Sequence, residues 1–189
     1  MLGKYSIATA TGLVVSTGSA GAVIWTCRWT DAAVIALIER IRVNAVVTGT
    51  ITTAVPYDLE AYFVTGYSVA PTTSVASATL TGRNAARRTA YGTTLMAGIY
   101  TLTTVAAGIT GQTFTADAQP MGRLAGASGT VIGTQFFGGP KDLINAKDDP
   151  IVIGANEGIS IQAPLAGPAT GTFRVAVNLE WREVRLGSL

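Results

Sequence analysis

One stretch near the C-terminus decides the fold class: Phe173-Arg-Val-Ala-Val-Asn-Leu-Glu-Trp-Arg182. Apolar side chains occupy every second position from Phe173 to Trp181, and most positions between them are polar. A β-strand places successive side chains on opposite faces, so this period of two predicts a strand with one face in a core and the other toward solvent. Residues Ile159–Ala163 are the expected partner, with Pro164–Gly171 as the loop of a C-terminal hairpin.

The same alternation recurs earlier in the chain. Residues Ala36–Thr48 place Leu37, Ile41, Val43, Ala45 and Val47 on one predicted face, which Glu39 interrupts. Residues Tyr57–Tyr67 alternate in the same way after Pro56, which marks the start of that run. We expect these two segments to be half-buried strands that pair as antiparallel neighbours across the Gly49–Pro56 loop.

Turn-forming residues divide the whole chain into short segments rich in Val, Ile, Thr, Phe and Tyr. This pattern predicts an all-β, antiparallel fold, either a β-sandwich or a jelly roll, with at most short helical turns near Thr30–Ile35. Thr93–Thr104 and Thr130–Phe137 are weaker candidates for edge strands. Residues 1–20 are expected to form an N-terminal arm or a first strand, and residues 21–189 a single β-sandwich domain.

The composition argues against several classes of partner. Charged residues make up only 13% of the chain, about half the usual fraction, so much of the surface must be Thr, Ser, Gly and Ala. Such a surface suits burial in an assembly. The net charge of +2 falls short of the basic stripe of a nucleic-acid-binding protein, so nucleic acid is an unlikely partner. No apolar run suggests a signal peptide or a membrane span, so synthesis in the host cytoplasm is expected.

Side chains that perform catalysis are scarce. The chain has no histidine, the commonest general base, and none of its three lysines lies in a recognisable nucleophile motif. Its single cysteine, Cys27, lies in an apolar segment and is expected to be a buried hydrophobe. No calcium-loop or phosphate-loop motif occurs, and we therefore predict no enzyme activity, no metal and no cofactor.

A pair of carboxylates is the remaining route to catalysis, as in glycan hydrolases on β scaffolds. Asp58 and Glu60 project from the same predicted strand face. A solvated strand face is the simpler interpretation of this pair. For Asp148 and Asp149, which precede Pro150, a turn is the simpler interpretation.

One cluster is distinguished by its charge: Arg83, Arg87 and Arg88 within Thr81–Thr89. Guanidinium groups form planar, bidentate hydrogen bonds with carboxylates, so these arginines are the candidate protein-contact residues. Two alternatives stay open. The arginines belong to a solvated loop that balances nearby acids, or they bind phosphate of packaged nucleic acid or lipopolysaccharide.

Two C-terminal runs, Asp149–Ala163 and Gly171–Val184, resemble structural proteins of tailed bacteriophages. Four shorter segments, none of which is a catalytic motif, also resemble sequences of these proteins: Arg28-Trp-Thr-Asp, Asp58-Leu-Glu-Ala, Asp117-Ala-Gln-Pro and Thr134-Gln-Phe-Phe-Gly-Gly. The resemblance implies a β-sandwich protein present in many copies of the virion. Two roles follow from it: a capsid decoration (cement) protein, or a component of a tail or head fibre that acts in assembly or host recognition.

The resemblance also implies the partners. A decoration protein binds the outer shell as an oligomer and stabilises the capsid by bridging subunits of the major capsid protein. A homotrimer is the expected oligomer, because such proteins commonly occupy threefold or quasi-threefold positions of the shell. The expected location of the chain is therefore the virion.

Overall fold

The computed structural model describes residues 2–15, 19–80, 85, 91–103 and 107–187. Within these residues there are thirteen strands and no helix. In chain order the strands are β1 (Gly3–Ala10), β2 (Val14–Val15), β3 (Ala22–Trp29), β4 (Val34–Gly49), β5 (Leu59–Val69), β6 (Val75–Ser77), β7 (Gly98–Leu102), β8 (Thr113–Ala116), β9 (Gly122–Leu124), β10 (Lys141–Asn145), β11 (Ile151–Ile153), β12 (Glu157–Ala163) and β13 (Thr172–Arg185).

The strands form two sheets that pack face to face. Sheet 1 has six strands in the order β1-β13-β4-β10, with β2 beside β13 and β11 beside β4. Sheet 2 has seven strands in the order β6-β7-β3-β12-β5-β8, with β9 beside β5. Every strand pairing is antiparallel. The prediction of an all-β, antiparallel β-sandwich is confirmed.

The longest pairing joins β4 to β13 and runs through the centre of sheet 1. It extends from Thr172 opposite Gly49 to Arg185 opposite Val34. Glu39 is an extra residue in this ladder, because Glu180 pairs with Arg40 and Trp181 pairs with Ile38. An extra residue on one strand is a β-bulge, which shifts the alternation of side chains by one position.

The bulge at Glu39 explains why the alternation of β4 is broken in the sequence. After the bulge the odd-numbered residues from Ile41 to Val47 face the core, whereas before it the even-numbered residues from Val34 to Ile38 do so. The expectation that Leu37 shares a face with Ile41 is therefore wrong. Leu37 belongs to a small apolar cluster with Ile35 and Val184, separate from the core between the sheets.

Large aromatic side chains fill the core between the two sheets. All three tryptophans, Trp25 and Trp29 from sheet 2 and Trp181 from sheet 1, have no exposed surface. The rings of Tyr57 and Phe173 meet edge to face with centroids 5.0 Å apart. Because each buried aromatic ring removes a large apolar area from water, these side chains supply much of the energy that holds the sheets together.

Both strand pairings predicted from sequence proximity are wrong. β12 lies in sheet 2 between β3 and β5, whereas β13 lies in sheet 1. β4 and β5 are likewise in different sheets. Packed sheets lie about 10 Å apart, a distance that loops of this length span. A strand with one buried face has the same sequence pattern in either sheet, so alternation does not determine the pairing.

The weaker candidates also differ from expectation. Within Thr93–Thr104 the structure has β7, which is an internal strand of sheet 2 with all five residues buried. Thr130–Phe137 contains a turn and an isolated bridge from Gln135 to Val46 in place of a strand. In the N-terminal segment, β1 and β2 both pair with β13. No helix in the described part of the chain is long and apolar enough to cross a membrane.

The bulge residue also links three strands through its side chain. Glu39 is 4% exposed, and its carboxylate forms ion pairs with Lys4 Nζ of β1 at 2.6 Å and Arg182 Nε of β13 at 2.5 Å. The two cations are themselves about a third exposed. Solvent therefore screens part of the interaction.

Replacing this carboxylate should destabilise the fold. We expect Glu39→Ala to lower the free energy of unfolding by about 1–3 kcal/mol, which is the cost of breaking a buried ion pair reduced for the partial exposure of its cations. Urea unfolding followed by tryptophan fluorescence measures the change. Lys147→Ala, at an exposed position, is the control and should change stability by no more than about 0.5 kcal/mol. Equal effects of the two substitutions would contradict a linking role for Glu39.

Candidate functional site

The three predicted contact residues, Arg83, Arg87 and Arg88, lie outside the described residues. The structure does describe Ala85, which lies between Arg83 and Arg87, and the residues from Tyr91 onward. Ala85 is buried, and its carbonyl accepts a hydrogen bond of 2.8 Å from the Ser6 N–H of edge strand β1. Residues after the arginines, beginning with Tyr91, pack against the same edge of sheet 1.

The Glu183 carboxylate holds the segment that follows the arginines. It is 1% exposed and accepts hydrogen bonds from the Thr94 hydroxyl, the Leu95 N–H at 3.0 Å and the Trp181 Nε1–H at 3.2 Å. Burial raises the pKa of this carboxyl above its ordinary value, and these hydrogen bonds only partly offset the effect. Burial and the neighbouring carboxylate also raise the pKa of Tyr5 to about 12. An enclosed carboxylate of this kind is an anchor for the segment and has no open face for a substrate.

Ion pairs cover much of the outer face of sheet 1. Besides the Glu39 pairs, Arg40 binds the buried carboxylate of Glu180. Arg42 Nε lies 2.9 Å from Asp142 Oδ1 on β10. Each pair joins neighbouring strands, so these charges neutralise one another within the chain.

The carboxylates considered for catalysis are also paired. Asp58 and Glu60 are only 6% and 7% exposed, so the interpretation as a solvated strand face is wrong. Arg123 Nη2 lies 2.5 Å from Asp58 Oδ2, and its Nε lies 3.5 Å from Glu60 Oε1. The Tyr62 hydroxyl donates to Glu60 Oε2 at 2.5 Å, which raises the pKa of Tyr62. One guanidinium therefore engages both carboxylates, an arrangement that fastens β9 to β5.

The remaining reactive groups are enclosed. Cys27 is buried, as predicted, and burial raises the pKa of its thiol to about 12, so the thiol is protonated at neutral pH. In the part of the chain that the structure describes, no group of three or more His, Cys, Asp or Glu residues is placed to hold a metal ion.

Aromatic side chains that could stack on a sugar are mostly in the core. The three tryptophans are fully buried, as are Tyr57 and Tyr67, whereas Tyr62 is half-buried. Recognition of a glycan by stacking needs aromatic faces open to solvent. These six side chains therefore offer little support for a carbohydrate-binding surface.

Two of the three most exposed large apolar side chains in the described part of the chain lie in one turn, Val131-Ile132-Gly133-Thr134, here called the apolar turn. Val131 is 67% exposed and Ile132 is 61% exposed. The Thr134 N–H donates to the Val131 carbonyl at 3.1 Å, and Gly133 has a φ of 89°, as a tight turn requires at this position. The Gly133 N–H donates to the Val47 carbonyl at 2.9 Å, which fixes the turn against β4.

Further apolar residues are exposed at the same end of the sandwich. Val14 pairs with Phe173, and Phe173 pairs with Val47, which holds the apolar turn. Val14, Phe173 and Val47 therefore form a row across three strands. The exposed Leu13 lies beside one end of this row and the apolar turn beside the other, roughly 15 Å apart. Val131 and Ile132 are adjacent in the turn, whereas Leu13 stands apart from them, so the turn is the candidate apolar contact surface at this end.

Sequence reasoning did not single out the apolar turn, the bulge at Glu39 or the Glu183 anchor. A Val-Ile pair has the composition of a strand, and only the following Gly133 signals a turn. Glu39 carried a usable signal, because it interrupts an otherwise apolar face. Glu183 carried none, since two of its three donors, Thr94 and Leu95, are almost ninety positions away in the chain.

Searches against protein-family models, curated proteins and solved structures found no match to this chain.

The raised pKa of Glu183 gives a prediction about pH. Because the folded state binds the carboxyl proton more tightly than the unfolded state, its stabilising contribution is present below the ordinary pKa and is lost as pH rises through the folded pKa. Glu183→Gln cannot titrate, so the stability of the variant relative to the native chain should increase between about pH 4 and pH 7. Any constant packing cost of the amide cancels in this comparison.

Urea unfolding at several pH values measures this trend. Asp148→Asn, at an exposed carboxylate, serves as the matched control. A difference between native chain and Glu183→Gln that is constant with pH, or that shifts in favour of the native chain as pH rises, would contradict the account of Glu183.

Proposed function

We propose that this chain is a structural protein of a tailed-bacteriophage virion, and specifically a capsid decoration protein. The observation that carries the proposal is that the fold buries many of its acidic side chains and pairs them with basic side chains of the same chain. Five of the eleven acidic residues are buried: Glu39, Asp58, Glu60, Glu180 and Glu183. Four of these five pair with a basic side chain of the same chain.

Internal pairing leaves a surface that is poorer in free charge than the composition alone implies. The centres of protein interfaces are depleted of charged residues, because each charge must be desolvated when partners meet. A sandwich whose surface is poor in free charge and exposes apolar side chains such as Val131, Ile132 and Leu186 is suited to close packing against other subunits.

In the proposed mechanism each copy contacts neighbouring subunits of the shell and acts by association alone. A molecule that binds only the assembled shell shifts the equilibrium toward the assembled state by mass action. A homotrimer on threefold positions would multiply these contacts. Its symmetry rests on the resemblance to decoration proteins.

Co-sedimentation with empty shells tests the proposal. The chain should pellet at a fixed stoichiometry with shells of the phage that encodes it, and the temperature at which these shells disassemble should rise. Purified tails of the same phage are the comparison. A chain that leaves shells unchanged and binds only tails or host envelopes would contradict the decoration role and favour a tail or fibre role.

The contact role of Arg83, Arg87 and Arg88 is tested in the same assay. Substituting all three with Gln should weaken shell binding about tenfold or more if they pair with carboxylates of the shell protein. The control removes the same charge elsewhere, by substituting the exposed Lys141, Lys147 and Arg185 with Gln. Equal weakening by both sets would indicate a general charge effect and would contradict a specific contact.

A further inference from the structure

We propose that copies of this chain associate by inserting the apolar turn of one copy into a groove on sheet 1 of the next. This inference deepens the proposed function, since it names the self-contact of the oligomer. It starts from two apolar features of one chain: an exposed turn and a shallow depression.

The depression, here called the outer groove, lies on the face of sheet 1 that points away from the core and has a volume of about 270 Å³. Ala176 of β13 lies opposite Asn44 of β4, and Ala8 of β1 lies opposite Asn178 of β13, two residues further along β13 on the same face. Their side chains are small where neighbouring positions carry long ones. Pro140 and the stem of Arg42 line the side of the groove toward β10.

The outer groove is electrically neutral as well as apolar. Among the described residues that line it, Arg42 alone is charged, and its Nε lies 2.9 Å from Asp142 Oδ1. A neutral groove suits the apolar turn, because Val131 and Ile132 bring no charge that would need a counterion. An apolar occupant also removes both apolar surfaces from water.

The apolar turn is ordered before it binds. Three backbone hydrogen bonds hold it: Thr134 N–H to Val131 O within the turn, Gly133 N–H to Val47 O and Val47 N–H to Thr134 O. Val and Ile also have few side-chain rotamers. Little conformational entropy is therefore lost on contact, which favours the turn as an anchor.

The turn cannot fill the groove of its own chain. The turn is bonded to Val47, whereas the groove is centred near Asn44, so that the two are roughly 10 Å apart along β4. A turn of one copy that enters a groove of the next gives a head-to-tail contact between unlike surfaces. Such contacts form a ring when the rotation between copies closes and an open filament when it does not, and the proposed oligomer is the closed ring.

Two side chains make an anchor and not a whole interface. Stable interfaces bury roughly 1,200–2,000 Å² in total, so residues beside the anchor must also meet. The exposed Ala10 and the half-buried Val46 flank the groove with short side chains that let two sheets approach closely. In this arrangement the turn supplies most of the binding energy, as interface anchors do.

Analytical ultracentrifugation of the purified full chain tests the contact. The native chain should form a discrete oligomer, and Val131→Ser with Ile132→Ser should raise its dissociation constant at least about 30-fold, equivalent to about 2 kcal/mol. Leu186→Ser, which also removes an exposed apolar side chain but at the opposite end, should leave the oligomer intact. Blocking the groove with Ala176→Arg should dissociate it, whereas Thr115→Arg on sheet 2 should not.

Mixing the two defective variants gives the decisive result. The turn variant keeps an intact groove and the groove variant keeps an intact turn. A mixture should therefore form heterodimers that contain one copy of each variant. A native chain that stays monomeric, or an oligomer that survives both variants, would overturn the inference. Shell binding by co-sedimentation is a separate measurement, so a monomer that still binds shells would leave the proposed function standing.

Discussion

The pairing of β4 with β13 is the constraint on which the rest of the structure depends. These two strands form the centre of sheet 1, and every other strand of that sheet pairs with one of them. The bulge at Glu39 lets β4 keep an apolar side toward the core along its whole length, because it resets the alternation midway. The apolar turn also depends on β4, because the backbone of Val47 near one end of that strand holds it.

The same ladder explains how a chain with few charges uses them. Strands that lie side by side bring charged residues distant in sequence into contact, as with Arg40 and Glu180. Glu39, at the bulge, forms ion pairs with Lys4 of β1 and Arg182 of β13. Charge thereby joins neighbouring strands of sheet 1, and less of it is left free on the surface. This use of charge inside the fold is the physical basis of the proposed assembly role.

The sequence predicted the class of the fold because period-two alternation is a local property. The strand at Phe173–Trp181, with Trp181 on its buried face, follows from it directly. The pairing of strands did not, since β12 and β13 are adjacent in the chain but lie in different sheets. The surroundings of Asp58 and Glu60 depended on Arg123, which is more than sixty residues away. Contacts of that range are set by topology and leave no local signal.

The account is tested most directly by hydrogen–deuterium exchange of the chain, free as a dilute sample and then assembled on empty shells. The central claim is that a rigid sandwich built on β4 and β13 meets its partners mainly through surfaces that are poor in free charge. It predicts that amides of β4 and β13 exchange slowly in both samples, and that assembly adds protection at residues 130–134 and at exposed faces of the sandwich. Rapid exchange in β4 or β13, or identical exchange in the two samples, would contradict it.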